Sequence, residues 1–116
     1  MVGLEHQSCR PCEGGIAPMK ADEARRLMPQ IPQWTLAEPA QALLRVFHFQ
    51  NFYETMAFVN AVAYIAHRED HHPDLSISYN ECAVRYQTHA IGGLSENDFI
   101  CAAKIDGLGL LGLAPP

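Results

Sequence analysis

PDLSISYNECAVRYQTHA, residues 73–90, decides the fold. Leu75, Ile77 and Tyr79 alternate with Ser76, Ser78 and Asn80; then Cys82, Val84 and Tyr86 alternate with Ala83, Arg85 and Gln87. Side chains of an extended chain point to opposite faces at every step, so each run is a strand with one apolar and one polar face. Two such runs in succession predict a β-hairpin turning at Asn80-Glu81, a turn pair less favourable than Asn-Gly. That turn pairs Tyr79 with Cys82, Ile77 with Val84 and Leu75 with Tyr86. Carried past Pro73, the same register opposes His72 to His89. Opposed residues have Cβ atoms about 4.5–5.5 Å apart, so the hairpin predicts two histidines meeting at its open end. A one-residue change in the loop breaks that pairing.

Upstream of the hairpin, Asn51 is a helix N-cap with Glu54 in the capping-box position. Phe52, Met56, Val59 and Ala63 make one stripe of the helix that follows, which Val62 and Ile65 widen. Pro73 requires that helix to end before it. Two shorter strands precede it, Trp34 to Leu36 and Ala42 to Phe49, joined by a turn at Glu38-Pro39. Before these, Ala21 to Met28 has helical spacing, with Pro29 and Pro32 as stops. Beyond the hairpin, Gly92-Gly93 is a flexible loop. Ser95 then caps a last helix with Asp98 three residues on, and Gly107 is a plausible stop. The order is α-β-β-α-β-β-α. Strands arriving as consecutive pairs predict an α+β domain: a four-stranded antiparallel sheet with three helices packed on one face. We divide the chain into an N-terminal arm over 1–19, read as loose, a single domain over 20–106 and a C-terminal tail over 107–116.

Composition narrows the function. At 116 residues and 48 % hydrophobic content the chain makes one globular domain. Eight basic against thirteen acidic residues give a net charge of −5, which disfavours a sequence-independent grip on nucleic-acid phosphates. No run of 18 apolar residues is present to span a membrane, and MVGLEHQSCR has no apolar signal core. A cytoplasmic protein with reduced cysteines is expected. Cys82 and Cys101 read as core; Cys9-Arg-Pro-Cys12 has the spacing of half a zinc site without its other half. GLGLLG at 107–112 spells a dinucleotide motif, but it follows a helix and only four residues remain after it.

The histidines are the chemical candidates. An imidazole with an ordinary pKa of about 6.5 gives and takes protons near neutrality. His71, beside His72, has the opposite parity but can turn toward the same mouth from Asp70. Asp70 and Asp74 can orient a ring or hold its charge. A surface His-His pair without a task and a three-histidine metal site remain alternatives; neighbouring histidines on extended backbone diverge, which makes joint ligation awkward.

The combination D-H-H-P-D-L at 70–75, a hairpin, and T-H-A-I-G-G-L-S-E-N-D at 88–98 resembles the pterin-4a-carbinolamine dehydratases. C-R-P-C-E-G-G at 9–15, the Trp34 strand and A-A-K-I-D at 102–106 extend the resemblance over roughly 9–106. It implies a dehydratase-like domain that removes water from 4a-hydroxytetrahydropterin to give quinonoid dihydropterin, regenerating the pterin of aromatic amino-acid hydroxylases. It implies His71, His72 and His89 as catalytic residues, with no metal and no organic cofactor. Pro73, Thr88, Ala90, Ile91, Asp70 and Asp98 are the substrate-binding candidates. The expected partners are a small-molecule pterin and further copies of the chain in a homodimer or homotetramer, with no nucleic acid and no membrane. The alternatives are a non-catalytic dimerisation or protein-binding module, or a task in a molybdenum-cofactor-related pterin pathway. Leu75, where many members carry an aromatic residue, and Asn97, where animal relatives carry arginine, depart from the pattern and bear on pterin affinity.

Overall fold

The computed structural model describes residues 3–10, 17–37 and 41–115. Its regular elements are α1 (Ala21–Leu27), β1 (Thr35–Ala37), β2 (Ala42–His48), α2 (Phe52–Glu69), β3 (Asp74–Ile77), β4 (Glu81–Tyr86) and α3 (Glu96–Asp106). The strands form one antiparallel sheet in the order β1-β2-β4-β3. The α+β architecture and the α-β-β-α-β-β-α order are as the sequence predicts. The Glu38-Pro39 turn and Cys12 lie outside the described residues.

The predicted alternation is plain in β4, where Cys82, Val84 and Tyr86 are fully buried and Ala83 and Arg85 are not. Leu43 and Phe47 of β2 lie beside Tyr86 and Cys82 on the same face. Phe58 of α2 seals that face, with its ring centroid 4.5 Å from that of Phe47. Burying a side chain of this kind contributes about 1.5–3 kcal/mol. In β3 the alternation leaves only Leu75 partly covered, because β3 is an edge strand.

The hairpin register differs from the predicted one. Ile77 pairs with Cys82, and Leu75 with Val84. The turn residues are Tyr79-Asn80, closed by the Ser78 N–H on the Glu81 carbonyl at 2.9 Å. Moving the turn by one residue shifts every pair by two, so each side chain keeps its face while its opposite number changes. His72 therefore does not oppose His89 across the ladder.

Helix α2 also turns differently about its axis. Its buried residues are Thr55, Phe58 and Val62, while Phe52 is exposed. Burial of Thr55 is tolerated because its single hydroxyl proton is shared between the Asn51 and Tyr79 carbonyls, at 2.9 and 3.0 Å. Asn51 caps α2 as predicted, accepting the Glu54 N–H at 2.9 Å; Glu54 reaches back to the N–H of Gln50 rather than to that of the cap.

Asp106 ties helix to sheet. Its Oδ1 accepts from Trp34 Nε1 at 2.7 Å and from Arg45 at 2.6 Å. The Arg45 guanidinium also lies 4.1 Å from the Phe47 ring centroid.

The ends are less loose than expected. Residues 3–10 lie on α3, with Leu4 in the core. Past Gly107, which stays right-handed, the chain continues as a 3-10 helix over Gly107–Leu111 and places Leu108 and Ala114 in the core. The left-handed stop falls at Gly112, with φ 74°.

Candidate active site

The end of α2 positions the first histidines. Asp70 is left-handed, with φ 51° and ψ 45°. Its N–H reaches the His67 carbonyl, and the His71 N–H reaches that of Ala66 at 3.1 Å. This paired closure ends the helix three residues before Pro73 and turns the chain directly into β3. Aspartate is one of the few non-glycine residues that adopt this conformation readily.

The His71 ring then packs inward. It stacks on Tyr86, centroids 5.4 Å apart and planes 10° apart. Its Nε2 lies 2.6 Å from Oδ1 of Asp98, a carboxylate with no exposed surface. The other oxygen, Oδ2, accepts the Thr88 hydroxyl at 2.8 Å and the Ser95 N–H at 2.9 Å. Thr88 and Ser95 share a further hydroxyl contact of 2.7 Å. Asp98 thus caps α3, as its spacing predicts, and also holds a histidine. Burial opposes charge on His71, but the hydrogen bond and charge of Asp98, helped by Cys101 and Asp70, outweigh it and hold the imidazole above its ordinary pKa.

The second pair lies outside this one. His72 and His89 face each other with ring centroids 6.3 Å apart and planes 24° apart. The predicted meeting therefore occurs by another route. Thr88 and Gly93 exchange backbone hydrogen bonds, closing the loop that contains His89. Inside it His89–Ile91 form a 3-10 turn, ended by Gly92 at φ 68°. The Gly92-Gly93 segment thus completes a loop closed by backbone hydrogen bonds. At Gly93 a Cβ would lie 2.7 Å from the Pro18 ring. Asp74 Oδ2 stands 3.8 Å from His89 Nε2, both side chains 58 % exposed.

The sequence model described as Pterin 4 alpha carbinolamine dehydratase matches residues 17–108. The chain belongs to this family. A protein of Nitrosomonas eutropha with the provisional name pterin-4-alpha-carbinolamine dehydratase is 58% identical over 104 residues, covering 89% of this chain and 90% of that one. A Stenotrophomonas maltophilia protein with the same provisional name is 56% identical over 108 residues, 93% of each chain. The crystal structure of a transcriptional coactivator/pterin dehydratase from Brucella melitensis superposes with a TM-score of 0.74 at 26% identity, covering 78% of this chain and 97% of that one. A pterin dehydratase-like protein identified as a RuBisCO assembly factor in the alpha-carboxysome shares the fold at 21% identity. Its TM-score is 0.57, covering 66% of this chain and 88% of that one.

Against this family frame, the nine candidate residues divide. His71, Asp98 and Thr88 form one connected network. His72 and His89 form an exposed pair. Asp70 acts on His71 through its charge and shapes the helix end. Pro73 is half-buried between His72 and β3, Ala90 is exposed and Ile91 is half-buried. Sequence reasoning treated Tyr86 only as a strand residue and Ser95 only as a cap. Neither carries a local signal for its second contact. Asn97, the departure from animal relatives, is buried and hydrogen-bonds the Arg10 backbone through both its amide oxygen and its amide nitrogen.

Among the described residues no cluster of three or more His, Cys, Asp or Glu side chains is arranged to hold a metal ion, and no helix is long and apolar enough to cross a membrane.

Proposed function

We propose that the site dehydrates 4a-hydroxytetrahydropterin by proton exchange with imidazoles. The observation that carries this reading is a buffered histidine, His71 on Asp98, beside an exposed facing pair, His72 and His89. One imidazolium protonates the 4a hydroxyl, which leaves as water when the C4a–O bond breaks. A neutral imidazole takes the N5 proton, and the N5–H electrons become the C4a=N5 double bond of the quinonoid product. Proton transfer of this kind contributes about 10²–10⁴-fold in rate.

With Nε2 committed to Asp98, His71 exchanges protons through Nδ1. We assign the exchange to His71 and His89, and the binding of the pterin edge to His72. Thr88 and Asp98 act by orienting His71; Asp70, Pro73, Ala90 and Ile91 shape the rim. On this reading the enzyme recycles the pterin of an aromatic amino-acid hydroxylase and works as a homodimer or homotetramer, which light scattering would size.

The test is the dehydration rate of 4a-hydroxytetrahydropterin generated in situ, for wild type, His72→Ala and His89→Ala. Wild type should exceed the uncatalysed rate, and each variant should lose about a hundredfold. Both changes are at exposed side chains, so stability should move by no more than about 0.5 kcal/mol. A wild-type rate equal to the uncatalysed one refutes the reading and directs the next experiments to this rim as a partner-binding surface.

A further inference from the structure

Two cysteines that do not touch the substrate in the proposed reaction lie in contact. Cys9 Sγ stands 3.5 Å from Cys101 Sγ, across 92 positions of sequence. Cys9 is half-buried and Cys101 fully buried. The approach is held from several sides. The Cys9 N–H donates to Glu69 Oε1 at 2.8 Å, Cys9 Sγ reaches the Asn97 carbonyl at 3.6 Å, and Arg10 is locked to Asn97 next door.

We propose that Cys9 and Cys101 form a reversible disulfide that fastens the N-terminal segment to α3, made by exchange with a small disulfide. Clefts on both sides of Cys9 give a reagent access to it, one bordered by Arg10 and Glu96, the other by Arg68, Glu69 and Asp70. Cys9 as thiolate attacks the small disulfide, forming a mixed disulfide and expelling one small thiolate. Cys101, deprotonated, then attacks Cys9 Sγ and expels the second. Two protein thiols are oxidised, one small disulfide is reduced to two thiols, and two protons go to solvent. The contact with Cys101, burial and the charge of Glu69 hold the Cys9 thiol above its usual pKa, so its deprotonation in the open clefts limits the first attack. Its exposure rather than its acidity makes it the sulfur a reagent meets first. In the reduced pair a hydrogen bond from Cys9, then the charge of His71 and the Tyr86 hydroxyl, hold the Cys101 pKa below its usual value despite burial. Once Cys9 is in the mixed disulfide, the His71 charge and the Tyr86 hydroxyl remain to favour the Cys101 thiolate, which stands 3.5 Å from Cys9 Sγ. Cys82, a free and fully buried thiol, is the internal control.

The proposal stands independently of the dehydratase reading. The full chain is equilibrated with glutathione disulfide and glutathione at rising ratios, alkylated and mapped by mass spectrometry. The expected product is a Cys9–Cys101 cross-linked peptide with Cys82 still a thiol. The melting temperature should rise by roughly 5 °C or more, because a long loop is closed, and dithiothreitol should reverse it. Cys9→Ser should abolish both effects. Cys101→Ser should stop at a glutathione adduct on Cys9. A wild-type chain that stays reduced, bridges Cys9 to Cys12 instead, or keeps an unresolved adduct on Cys9 overturns the proposal.

Discussion

His71 and Asp98, 27 residues apart in sequence, meet at 2.6 Å with the carboxylate wholly buried. The pair makes stability depend on pH in a definite direction. The folded-state pKa of His71 is raised, so the fold favours the imidazolium. Its contribution is complete below the unfolded pKa of about 6.5 and is lost as pH rises through the folded value. The difference in urea-unfolding free energy between wild type and His71→Asn is therefore expected to shrink as pH rises from that point. A difference that is flat or grows with pH would contradict the pairing.

Thr88 supports this pair from the other side. Thr88→Val keeps the shape but removes the hydroxyl from Asp98 Oδ2 and from Ser95. Asp98 Oδ2 then keeps only the Ser95 N–H, and the Ser95 hydroxyl loses its acceptor. Losing a hydrogen bond to a buried charged group costs about 1.5–3 kcal/mol. Chemical denaturation should show that loss. An NMR titration of His71 should also show a changed pKa, which a purely packing role for Thr88 would not produce.

Asp106 carries a larger share of stability. Asp106→Ala leaves Arg45, only 10% exposed at its side chain, without its carboxylate and Trp34 Nε1 without its acceptor. Removing one partner of a buried ion pair costs about 3–5 kcal/mol, and because the Asp106 side chain is 25% exposed the loss here should be about 3 kcal/mol. An unfolding free energy within about 1 kcal/mol of wild type would show that the contact is not a true anchor.

At Asp70 the backbone and the charge can be separated. Asp70→Gly relieves a left-handed non-glycine residue, and should stabilise the fold by about 0.5–1 kcal/mol. The same change removes a charge that helps raise the His71 pKa, so that pKa should fall. Thermal melts and the histidine titration read the two effects independently.

The sequence by itself determined what short windows of chain dictate. Alternation over 74–87 specified two strands and their buried parity; Asn51 and Ser95 marked two helix starts; Pro73 required α2 to stop short. These are local properties, settled by backbone geometry and by hydrogen bonds a few residues long. The parity survived even where the register did not, because displacing the turn by one residue moves the pairs by two. Three other features depended on contacts between distant parts of the chain. The buried side of α2 runs through Thr55, whose hydroxyl meets the Tyr79 carbonyl of the hairpin turn 24 residues away. His72 reaches His89 through the Thr88–Gly93 closure rather than the ladder. His71 turns onto Tyr86 and Asp98, residues whose own local patterns call for a strand position and a cap. Hydrophobic burial is non-directional, so which side chains meet in the interior is decided by how whole elements pack and by which buried polar groups must be satisfied. Only the tertiary structure contains that information.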